Sequence, residues 1–404
     1  MTEPRLIRTL GLRNILSFGP EAETVELRPL NVSIGPNNAG KTNLVSAIGL
    51  PRATRGDFAQ ALREQGGVSE WLWKGAEGTP IAEIDATVFS GDDDWMPYRH
   101  RFSFTAVNQR AELVDEAIED ERGKARKPDP IFYYRYQSGH PVLAVRTNFE
   151  VSGNVTRSER QIRREDLKPD QSVLSQKIDK DVYPEITYLN ETDSSGISIS
   201  GAFNTSKNSA LRNPVRPDLP GDFLLEDASN VALVINDMQH RGLKPRIIEL
   251  LRKFYFAAED LTVKIQGGTA QLYLHERGLT SPIPANRLSE GTMRFLCLIA
   301  ILCHPGPPSL VCLEEPELSL HPDIIPTAAE MLVDAASRTQ IIVTTHSETL
   351  VSSLSDKPDA VLVCERDEGG SHLRRLDPAM LEQWLEKYSL GQLWTMGEIG
   401  GTRW

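Results

Sequence analysis

A chain of 404 residues is long enough to bury a full hydrophobic core, in one large domain or in roughly two to three smaller ones. Its hydrophobic fraction of 40% is ordinary for a globular protein, and its longest apolar run, FLCLIAILC, is too short for a membrane helix. The charged opening residues MTEPRLIRTLGLRN exclude a typical signal peptide, so the sequence predicts a cytoplasmic protein. The formal net charge of −12 does not exclude nucleic acid, because local patches set the electrostatic field.

The first half of the chain predicts mainly strands. LIRTLGLRNILSF and ETVELRPLNVSI alternate apolar and polar positions, which predicts two or three strands with a turn at Gly19-Pro20. The last of these strands leads into GPNNAGKTN, and LVSAIGL then continues as a helix until Pro51. Between residues 81 and about 165, strands are predicted in IAEIDATVF, YRHRFSFTAV and PVLAVRTNFEV.

The second half changes from loops to helices and then to apolar strands. Residues 190–222 are rich in Ser, Asn, Pro and Gly, whereas residues 223–258 have helical spacing. LTVKIQGGTAQLYLHE predicts a hairpin with a Gln266-Gly267-Gly268 turn, and NRLSEGTMRFLCLIAILC predicts a helix after a Ser-Glu-Gly turn. SLVCLEE, TQIIVTTHS and AVLVCE follow as apolar strands with helical residues between the first two, which predicts a parallel sheet buried on both faces.

Two further features concern cysteines and basic clusters. The four cysteines lie in apolar segments without a CxxC pair, which indicates reduced core thiols: Cys297, Cys303, Cys312 and Cys364. Two basic clusters lie at 122–127 and 157–164, and both have acidic neighbours. Solvated surface is therefore the alternative to a nucleic-acid contact at these clusters.

GPNNAGKT, from Gly35 to Thr42, matches the P-loop pattern G-x-x-x-x-G-K-T between a strand and a helix. Glycines let backbone N–H groups turn towards phosphates, and the helix N-terminus adds a favourable field. In such a loop Lys41 would reach the β and γ phosphates, and Thr42 would hold Mg²⁺.

LVCLEEPELSLHP, at 310–322, then predicts a strand whose end supplies carboxylates. A P-loop protein needs an acidic residue at the end of a neighbouring strand, and Glu314 takes that place as a Mg²⁺ ligand. Glu315, on the other side of the strand, would polarise the attacking water. An acidic turn without catalytic function is the alternative for an isolated Glu-Glu-Pro sequence.

With these two motifs, the chain resembles ABC-type ATPases of the RecF, SMC and OLD (overcoming-lysogenization-defect) group. RLSEGTMRFL at 287–296 resembles the signature motif of that group, and VTTHS at 343–347 resembles its switch-histidine segment. SVLSQKIDKDVYP at 172–184 is similar to the Gln-loop of short members, and GEIGGTRW is similar to their ending. The signature differs from the LSGGQ of transporter subunits, and the chain has no long coiled-coil arms.

The resemblance implies an α/β ABC-type ATPase head: a mixed or parallel sheet flanked by helices, an antiparallel β subdomain and a helical insertion. We predict an N-terminal lobe at 1–178, a connector with a helical insertion at 179–258 and a C-terminal lobe at 259–404. The cofactors implied are ATP and Mg²⁺, bound at the interface of a head-to-head dimer. Its two sites would each join the P-loop of one subunit to the signature of the other.

Residue roles follow from the same resemblance. His346 would contact the γ phosphate or the water, and Gln176 would sense Mg²⁺, with Gln171 as the competing candidate. The expected catalytic residues are Glu315, His346 and Lys41. The expected metal ligands are Thr42, Gln176 and Glu314. The expected ATP-binding residues are Gly35, Pro36, Asn37, Asn38, Ala39, Gly40, Lys41, Thr42, Asn43, Ser289, Glu290 and Gly291.

The expected function is an ATP-hydrolysing dimer whose nucleotide state controls a separately encoded effector, in defence against phage or in genome maintenance. About 35 residues follow AVLVCERD, which is too few for the nuclease domain of OLD nucleases. The alternatives are a DNA-repair ATPase that binds DNA through the basic clusters, and a non-hydrolysing scaffold. A transport ATPase is disfavoured. The amphipathic segment AMLEQWLEKYSLGQLW would dock on its own head or on the partner.

Overall fold

The computed structural model describes residues 6–88, 97–120, 132–137, 140–146, 157–161, 168, 170–176, 196–201 and 203–401. The chain forms two compact units, and each consists of separated segments. The first unit comprises Met1–Arg28, Gly35–Ile197 and Leu362–Arg374. The second unit comprises Pro29–Ile34, Ser198–Val361 and Arg375–Trp404. The three-part division along the chain stays a prediction.

Strands and helices are numbered in chain order. The strands are β1 (Ile7–Arg13), β2 (Glu23–Glu26), β3 (Leu30–Ile34), β4 (Ala82–Val88), β5 (Tyr98–Val107), β6 (Arg110–Asp120), β7 (Phe132–Gln137), β8 (His140–Arg146), β9 (Arg157–Gln161), β10 (Ile197–Ser200), β11 (Ala258–Gln266), β12 (Thr269–Glu276), β13 (Ile283–Pro284), β14 (Leu310–Glu314), β15 (Gln340–Thr344), β16 (Val361–Asp367) and β17 (Gly370–Arg375). The helices are α1 (Lys41–Ala53), α2 (Phe58–Glu64), α3 (Val68–Trp71), α4 (Val173–Gln176), α5 (Val231–His240), α6 (Lys244–Phe254), α7 (Glu290–Leu302), α8 (Ile325–Ala335), α9 (Glu348–Ser352), α10 (Pro378–Leu385) and α11 (Leu390–Thr395).

The first unit contains an antiparallel sheet with the strand order β2-β1-β4-β5-β6-β7-β8-β9. Alternation of apolar and polar residues produces one buried face, and Phe102 and Phe104 of β5 contribute to it. Phe58 of α2 packs edge-on against both rings, with centroid distances of 5.9 and 5.3 Å. The strands predicted at IAEIDATVF and YRHRFSFTAV are confirmed as β4 and β5, and the start of PVLAVRTNFEV is confirmed as part of β8. Residues 147–151 of that last segment lie outside the described residues.

The second unit contains a sheet region with the strand order β10-β14-β15-β3. Strands β14, β15 and β3 are parallel, with Glu314 opposite Thr344 and Thr344 opposite Ser33. All residues of β3 and β15 are buried, which confirms, for the strands of SLVCLEE and TQIIVTTHS, the predicted parallel sheet covered on both faces. The carboxyl ends of the three strands consequently lie side by side.

The remaining elements of the second unit also follow the predicted order. Strands β11 and β12 form the predicted hairpin, and Gly267 and Gly268 take the positive φ angles, 58° and 76°, of its two-residue turn. Helices α5 and α6 lie within the segment predicted to be helical, although residues 223–230 are not helical. The α/β fold class with an antiparallel subdomain and helices is confirmed.

Two helix boundaries differ from the prediction. Helix α1 does not end at Pro51 but continues for two more residues to Ala53, although the proline lacks the N–H for its own intrahelical hydrogen bond. The Thr54 hydroxyl donates to the Pro51 carbonyl oxygen at 2.7 Å and supports this last turn. Helix α7 begins at Glu290, so the predicted Ser-Glu-Gly turn is largely the first helical turn.

The C-terminal segment docks on its own unit through α11. Leu390 and Leu393 are fully buried, and Ser389 forms a capping box at the start of the helix. The hydroxyl groups of Ser352 and Ser389 lie 2.9 Å apart. In contrast, α10 leaves Met380 79% exposed. In the described part of the chain, no helix has the length and apolarity needed to cross a membrane.

Candidate functional site

The loop between β3 and α1 contains the GPNNAGKT motif. Gly35 follows Ile34, the last residue of β3, and α1 begins at Lys41. Gly40 has a φ of 114°, and a Cβ on this residue would lie 2.4 Å from the Ser371 Oγ. A residue with a side chain could not follow this backbone path, so the loop requires the glycine before Lys41.

The Lys41 side chain folds over this loop. Its Nζ donates to the carbonyl oxygens of Gly35 at 2.9 Å and of Pro36 at 3.0 Å. Lys41 is only 6% exposed, so its ammonium group lies within the loop. Gly40, the N-cap residue of α1, gives no side-chain hydrogen bond to the first helical turn, and backbone N–H groups there can bind an anion. This geometry fits the phosphates of a nucleotide.

The other predicted ATP-binding residues of this loop are Pro36 and Asn43, which are half-buried, Ala39, which is buried, and Asn37, Asn38 and Thr42, which are exposed. Thr42 lies in the first turn of α1. Within the described ranges, no group of three or more His, Cys, Asp or Glu side chains could hold a metal ion. Mg²⁺ commonly binds to one or two carboxylates together with phosphate and water oxygens, and the assignment of Thr42 and Glu314 as its ligands stays a prediction.

The loop is supported by three residues that no sequence motif marks, Ser17, Cys364 and Ser371. The Ala39 carbonyl oxygen accepts hydrogen bonds from the Ser371 hydroxyl at 2.6 Å and from the Cys364 thiol at 3.1 Å. The Ser371 and Ser17 hydroxyl oxygens lie 2.7 Å apart. Burial raises the pKa of the Cys364 thiol to about 12, so the thiol keeps the proton that it donates. The predicted core role of the cysteines thus includes a contact to the P-loop.

In the second unit, β14 ends in the predicted pair of acids. Glu314 is the last strand residue, and the Glu315 N–H donates to the Thr344 carbonyl oxygen at 2.9 Å. Glu315 has a φ of 44°, in the left-handed region. Strand alternation therefore stops at Glu314 and does not fix the direction of the Glu315 side chain, contrary to the premise of the sequence prediction.

The structure brings Glu315 close to the predicted switch histidine. The His346 Nε2 lies 3.9 Å from the Glu315 Oε1. The His346 side chain is 38% exposed and the Glu315 side chain 43% exposed, so both can reach a water molecule. One water molecule could therefore contact both groups, and a positioned acceptor of this kind can take a proton from water.

Glu317, which the sequence analysis did not identify, holds the loop of the switch histidine. Its Oε1 accepts hydrogen bonds from the Thr345 hydroxyl at 2.5 Å and from the His346 N–H at 3.1 Å. Burial raises the pKa of the Glu317 carboxyl above its usual value. The signal in the sequence was the third acid of EEPE, two residues after Glu315.

The predicted signature segment forms the N-terminus of α7. Ser289 is the N-cap residue, and its Oγ accepts a hydrogen bond from the Thr292 N–H at 3.0 Å. Ser289 and Glu290 are both exposed. The capping role that LSEG sequences often have is therefore present here, and it leaves the start of the helix open to solvent.

Helix α7 also holds the acidic turn through Arg294. This residue is 2% exposed, and its guanidinium donates to the carbonyl oxygens of Glu315 at 3.3 Å and of Phe203 at 3.1 Å. The signature helix and the turn that carries Glu315 are thus joined within the second unit. No local pattern predicts this contact, because Arg294 is one position of an otherwise apolar helix.

Gly291 has a structural role that does not depend on nucleotide. A Cβ on this residue would lie 2.6 Å from the Ser319 carbonyl oxygen, a backbone atom that cannot rotate away. We therefore expect Gly291→Ala to lower the free energy of unfolding by about 1–3 kcal/mol, the usual range for overpacking. Chemical denaturation measures this change.

The matched control is Gly306→Ala, because a Cβ on Gly306 would have nothing within 4 Å. We expect this control to unfold at the wild-type midpoint. If Gly291→Ala also unfolded like the wild type but lost ATP turnover, the glycine would serve the nucleotide and not the packing against Ser319.

The Gln176 amide makes local hydrogen bonds. Its Oε1 accepts from the Lys168 N–H at 2.8 Å, and its Nε2 donates to the Gln171 carbonyl oxygen at 2.9 Å. A role at Mg²⁺ would require the amide to exchange these partners. Gln171 contributes its backbone to the same turn, and both assignments stay predictions.

A buried carboxylate positions the helix that carries Gln176. Glu116 of β6 is 4% exposed and accepts hydrogen bonds from the Ser172 hydroxyl and from the Val173 N–H. The His100 Nε2 lies 3.0 Å from its Oε1. Because Glu116 belongs to β6 and accepts hydrogen bonds from Ser172 and Val173, it fixes the start of α4 on the sheet of the first unit.

Most of the two basic clusters lies outside the residues that the structure describes. Residues 122–127 and 162–164 lie outside the described residues, and residues 157–161 form the backbone of β9. Direct binding of DNA through these clusters stays a prediction.

The chain matches a known protein family. Residues 30–352 match the family model described as "AAA domain, putative AbiEii toxin, Type IV TA system". No curated protein sequence matches the chain.

Solved structures of SMC heads have a similar fold. An SMC head bound to the C-terminal winged-helix domain of ScpA has a TM-score of 0.57 at 13% identity, covering 93% of this chain and 99% of that chain. An SMC head with an extended coiled coil, bound to the C-terminal domain of ScpA from Pyrococcus furiosus, has a TM-score of 0.55 at 12% identity. The second match covers 95% of this chain and 99% of that chain. At this identity the likeness shows the ATPase-head fold.

Proposed function

This chain belongs to the AAA-domain family that its residues 30–352 match, and from that premise we propose that it is a Mg²⁺-dependent ATPase working as a head-to-head dimer. The observation that carries the proposal is the 3.9 Å distance between His346 and Glu315 at the end of β14. A pair of this kind, beside the strand that leads into a P-loop, suits the activation of water.

The P-loop provides the binding half of the proposed activity. The Lys41 ammonium already lies among the carbonyl oxygens of Gly35 and Pro36, and triphosphate oxygens would be additional acceptors for it. Thr42 and Glu314 would hold Mg²⁺, which neutralises charge on the phosphates when bound. Lys41 would stabilise the negative charge of the transferring phosphoryl group.

The acidic turn provides the hydrolysis half. Glu315 would accept a proton from the attacking water, and His346 would orient that water or donate to the γ phosphate. Arg294 and the Thr344 carbonyl oxygen hold the Glu315 backbone, so the turn that carries the carboxylate keeps a defined position. Fixed groups of this kind need little reorganisation during the reaction.

The signature residues support a shared site. Ser289 and Glu290 are exposed at the N-terminus of α7, where backbone N–H groups and the helix dipole favour phosphate. We propose that these residues and Gly291 complete the ATP site of a second subunit. ATP between the two heads would then stabilise the dimer, and hydrolysis would release it.

A separately encoded effector is the proposed target of this cycle, in defence against phage or in genome maintenance. The two SMC heads are each bound to a domain of ScpA. The description of the matched family names a toxin–antitoxin system. Both descriptions support a partner for this chain. The nucleotide state of the dimer would control that partner.

Mixing two inactive variants tests the shared site. Lys41→Ala removes the P-loop ammonium, and Ser289→Arg places a bulky cation at the signature. If sites are shared, a mixed dimer has one site with both substitutions and one with neither. Equal mixing is expected to restore up to about a quarter of the wild-type ATP turnover, because half of randomly formed dimers carry one intact site of two.

The control for Ser289→Arg is Ser289→Ala, since both variants lose the helix cap, a loss of about 1 kcal/mol. We expect Ser289→Ala to retain much more turnover than Ser289→Arg. A mixture with no more turnover than the separate variants would argue against the shared site. Stimulation by duplex DNA that weakens steeply with salt would favour direct DNA binding over control of a protein effector.

A further inference from the structure

The segment that carries His346 is held by four hydrogen-bond donors on three consecutive residues, 345–347. The Thr345 N–H donates to the Ser33 carbonyl oxygen at 3.1 Å, which extends the pairing of β15 with β3. The Ser347 N–H donates to the Thr345 Oγ1 at 3.0 Å. The remaining two groups, the Thr345 hydroxyl and the His346 N–H, both donate to one oxygen of Glu317. Glu317 is therefore the shared acceptor for this turn.

We propose that Glu317 is a positioning residue that holds the His346 backbone where its imidazole meets Glu315. The inference rests on the proposed ATPase function and adds a residue with its own part in that function. Glu317 acts through His346 and makes no proposed contact with nucleotide.

The chemistry of the contacts calls for an acceptor at this position. A hydroxyl and a backbone N–H both need an acceptor when they are buried, and Thr345 is fully buried. A carboxylate oxygen has lone pairs for two donors at once. The other oxygen, Oε2, is buried without a hydrogen-bond partner in the part of the chain that the structure describes. The contacts of this carboxylate to the switch loop are therefore the two hydrogen bonds that Oε1 accepts.

The position of Glu317 also links the acidic turn to the switch loop. Glu317 and Glu315 lie on one turn that follows β14, whereas His346 follows β15. The turn therefore presents one carboxylate to the His346 imidazole and another to the His346 N–H. Loss of the second contact frees the backbone of His346 and weakens the first contact indirectly.

The first test replaces the acceptor. Glu317→Leu is expected to lower kcat by about tenfold or more with a nearly unchanged KM for ATP, because misplacing a catalytic group by about 1 Å costs a large part of the rate. Glu317→Gln keeps an oxygen acceptor and is expected to retain most of kcat. Thr345→Val and Thr345→Ser form a second pair with the same expected contrast, in case the leucine variant does not fold.

A double-mutant cycle separates positioning from general structure. His346→Ala lowers kcat by itself, and adding Glu317→Leu to it is expected to cause little further loss, because Glu317 acts through His346. If the fold-losses of kcat in the two single variants multiplied in the double variant, the inference would be overturned. A wild-type kcat in Glu317→Leu would overturn it as well.

Hydrogen exchange measured by mass spectrometry tests the geometry without ATP turnover. Peptides that contain His346 are expected to exchange faster in Glu317→Leu and at the wild-type rate in Glu317→Gln, while α11 peptides stay unchanged. Unchanged exchange at His346 in Glu317→Leu would overturn the inference. If hydrogen exchange at His346 changes as expected but the wild-type protein does not hydrolyse ATP, the proposed function is rejected and the contact of Glu317 to the His346 backbone stands.

Discussion

Glu315→Gln is expected to bind ATP like the wild type and to hydrolyse it about two to three orders of magnitude more slowly. Glutamine keeps the size of the side chain but cannot accept a proton from water. The Glu315 N–H and carbonyl contacts are backbone contacts, so the turn itself should persist in the variant.

The measurements are calorimetric ATP binding, steady-state turnover and solution mass with and without Mg-ATP. Since hydrolysis releases the proposed dimer, the slow variant should double its mass with nucleotide and keep it. Asp323→Asn is the control, because it changes the charge equally at a side chain that is 91% exposed. Turnover at the wild-type rate in Glu315→Gln would show that another group activates the water.

The elements that the sequence predicted best are those whose signal is local. Apolar runs produced β3, β14 and β15, and GPNNAGKT fixed a loop between a strand and a helix. Parallel pairing then placed the ends of these strands at one edge, so the meeting of Glu315 and His346 followed from two separate motifs. Motifs at strand ends are therefore good predictors of what a parallel sheet brings together.

The supporting residues could not be predicted, because their partners lie far away in the chain. Ser371 contacts Ala39 across more than 300 residues, and no local pattern marks that pair. Arg294 looked like one position of an apolar helix, yet it holds the Glu315 carbonyl oxygen. Single residues of this kind acquire their role only from packing.

Local signals also had more than one meaning. Ser289 was predicted as a nucleotide contact, and it caps α7 in the structure. Gly291 was predicted to admit backbone N–H groups to phosphate, and its missing Cβ also makes room for Ser319. A motif can thus satisfy the folding of its own subunit and a function at the same time, and substitutions there need controls for stability.

Lys41→Ala is expected to abolish measurable ATP binding. Each hydrogen bond from an ammonium to a charged partner contributes about 1.5–3 kcal/mol, so losing the contacts to phosphate lowers affinity by at least about tenfold per bond. The substitution also leaves the Gly35 and Pro36 carbonyl oxygens without the donor that they have in the protein. Both effects act against binding: one removes an attraction, and the other places unpaired oxygens beside the phosphates.

Thermal unfolding with ATP measures the combined result of these two effects. At an ATP concentration of about 100 times Kd, binding stabilises the wild type by about 2.7 kcal/mol, and Lys41→Ala should show no such shift. Lys41→Met keeps the length of the side chain without the charge, so it should behave like Lys41→Ala if the ammonium is what matters. An ATP-induced shift of wild-type size in the methionine variant would mean that the loop binds phosphate through its backbone N–H groups. Binding would then require neither the ammonium nor its hydrogen bonds to the carbonyl oxygens of Gly35 and Pro36, because methionine lacks both.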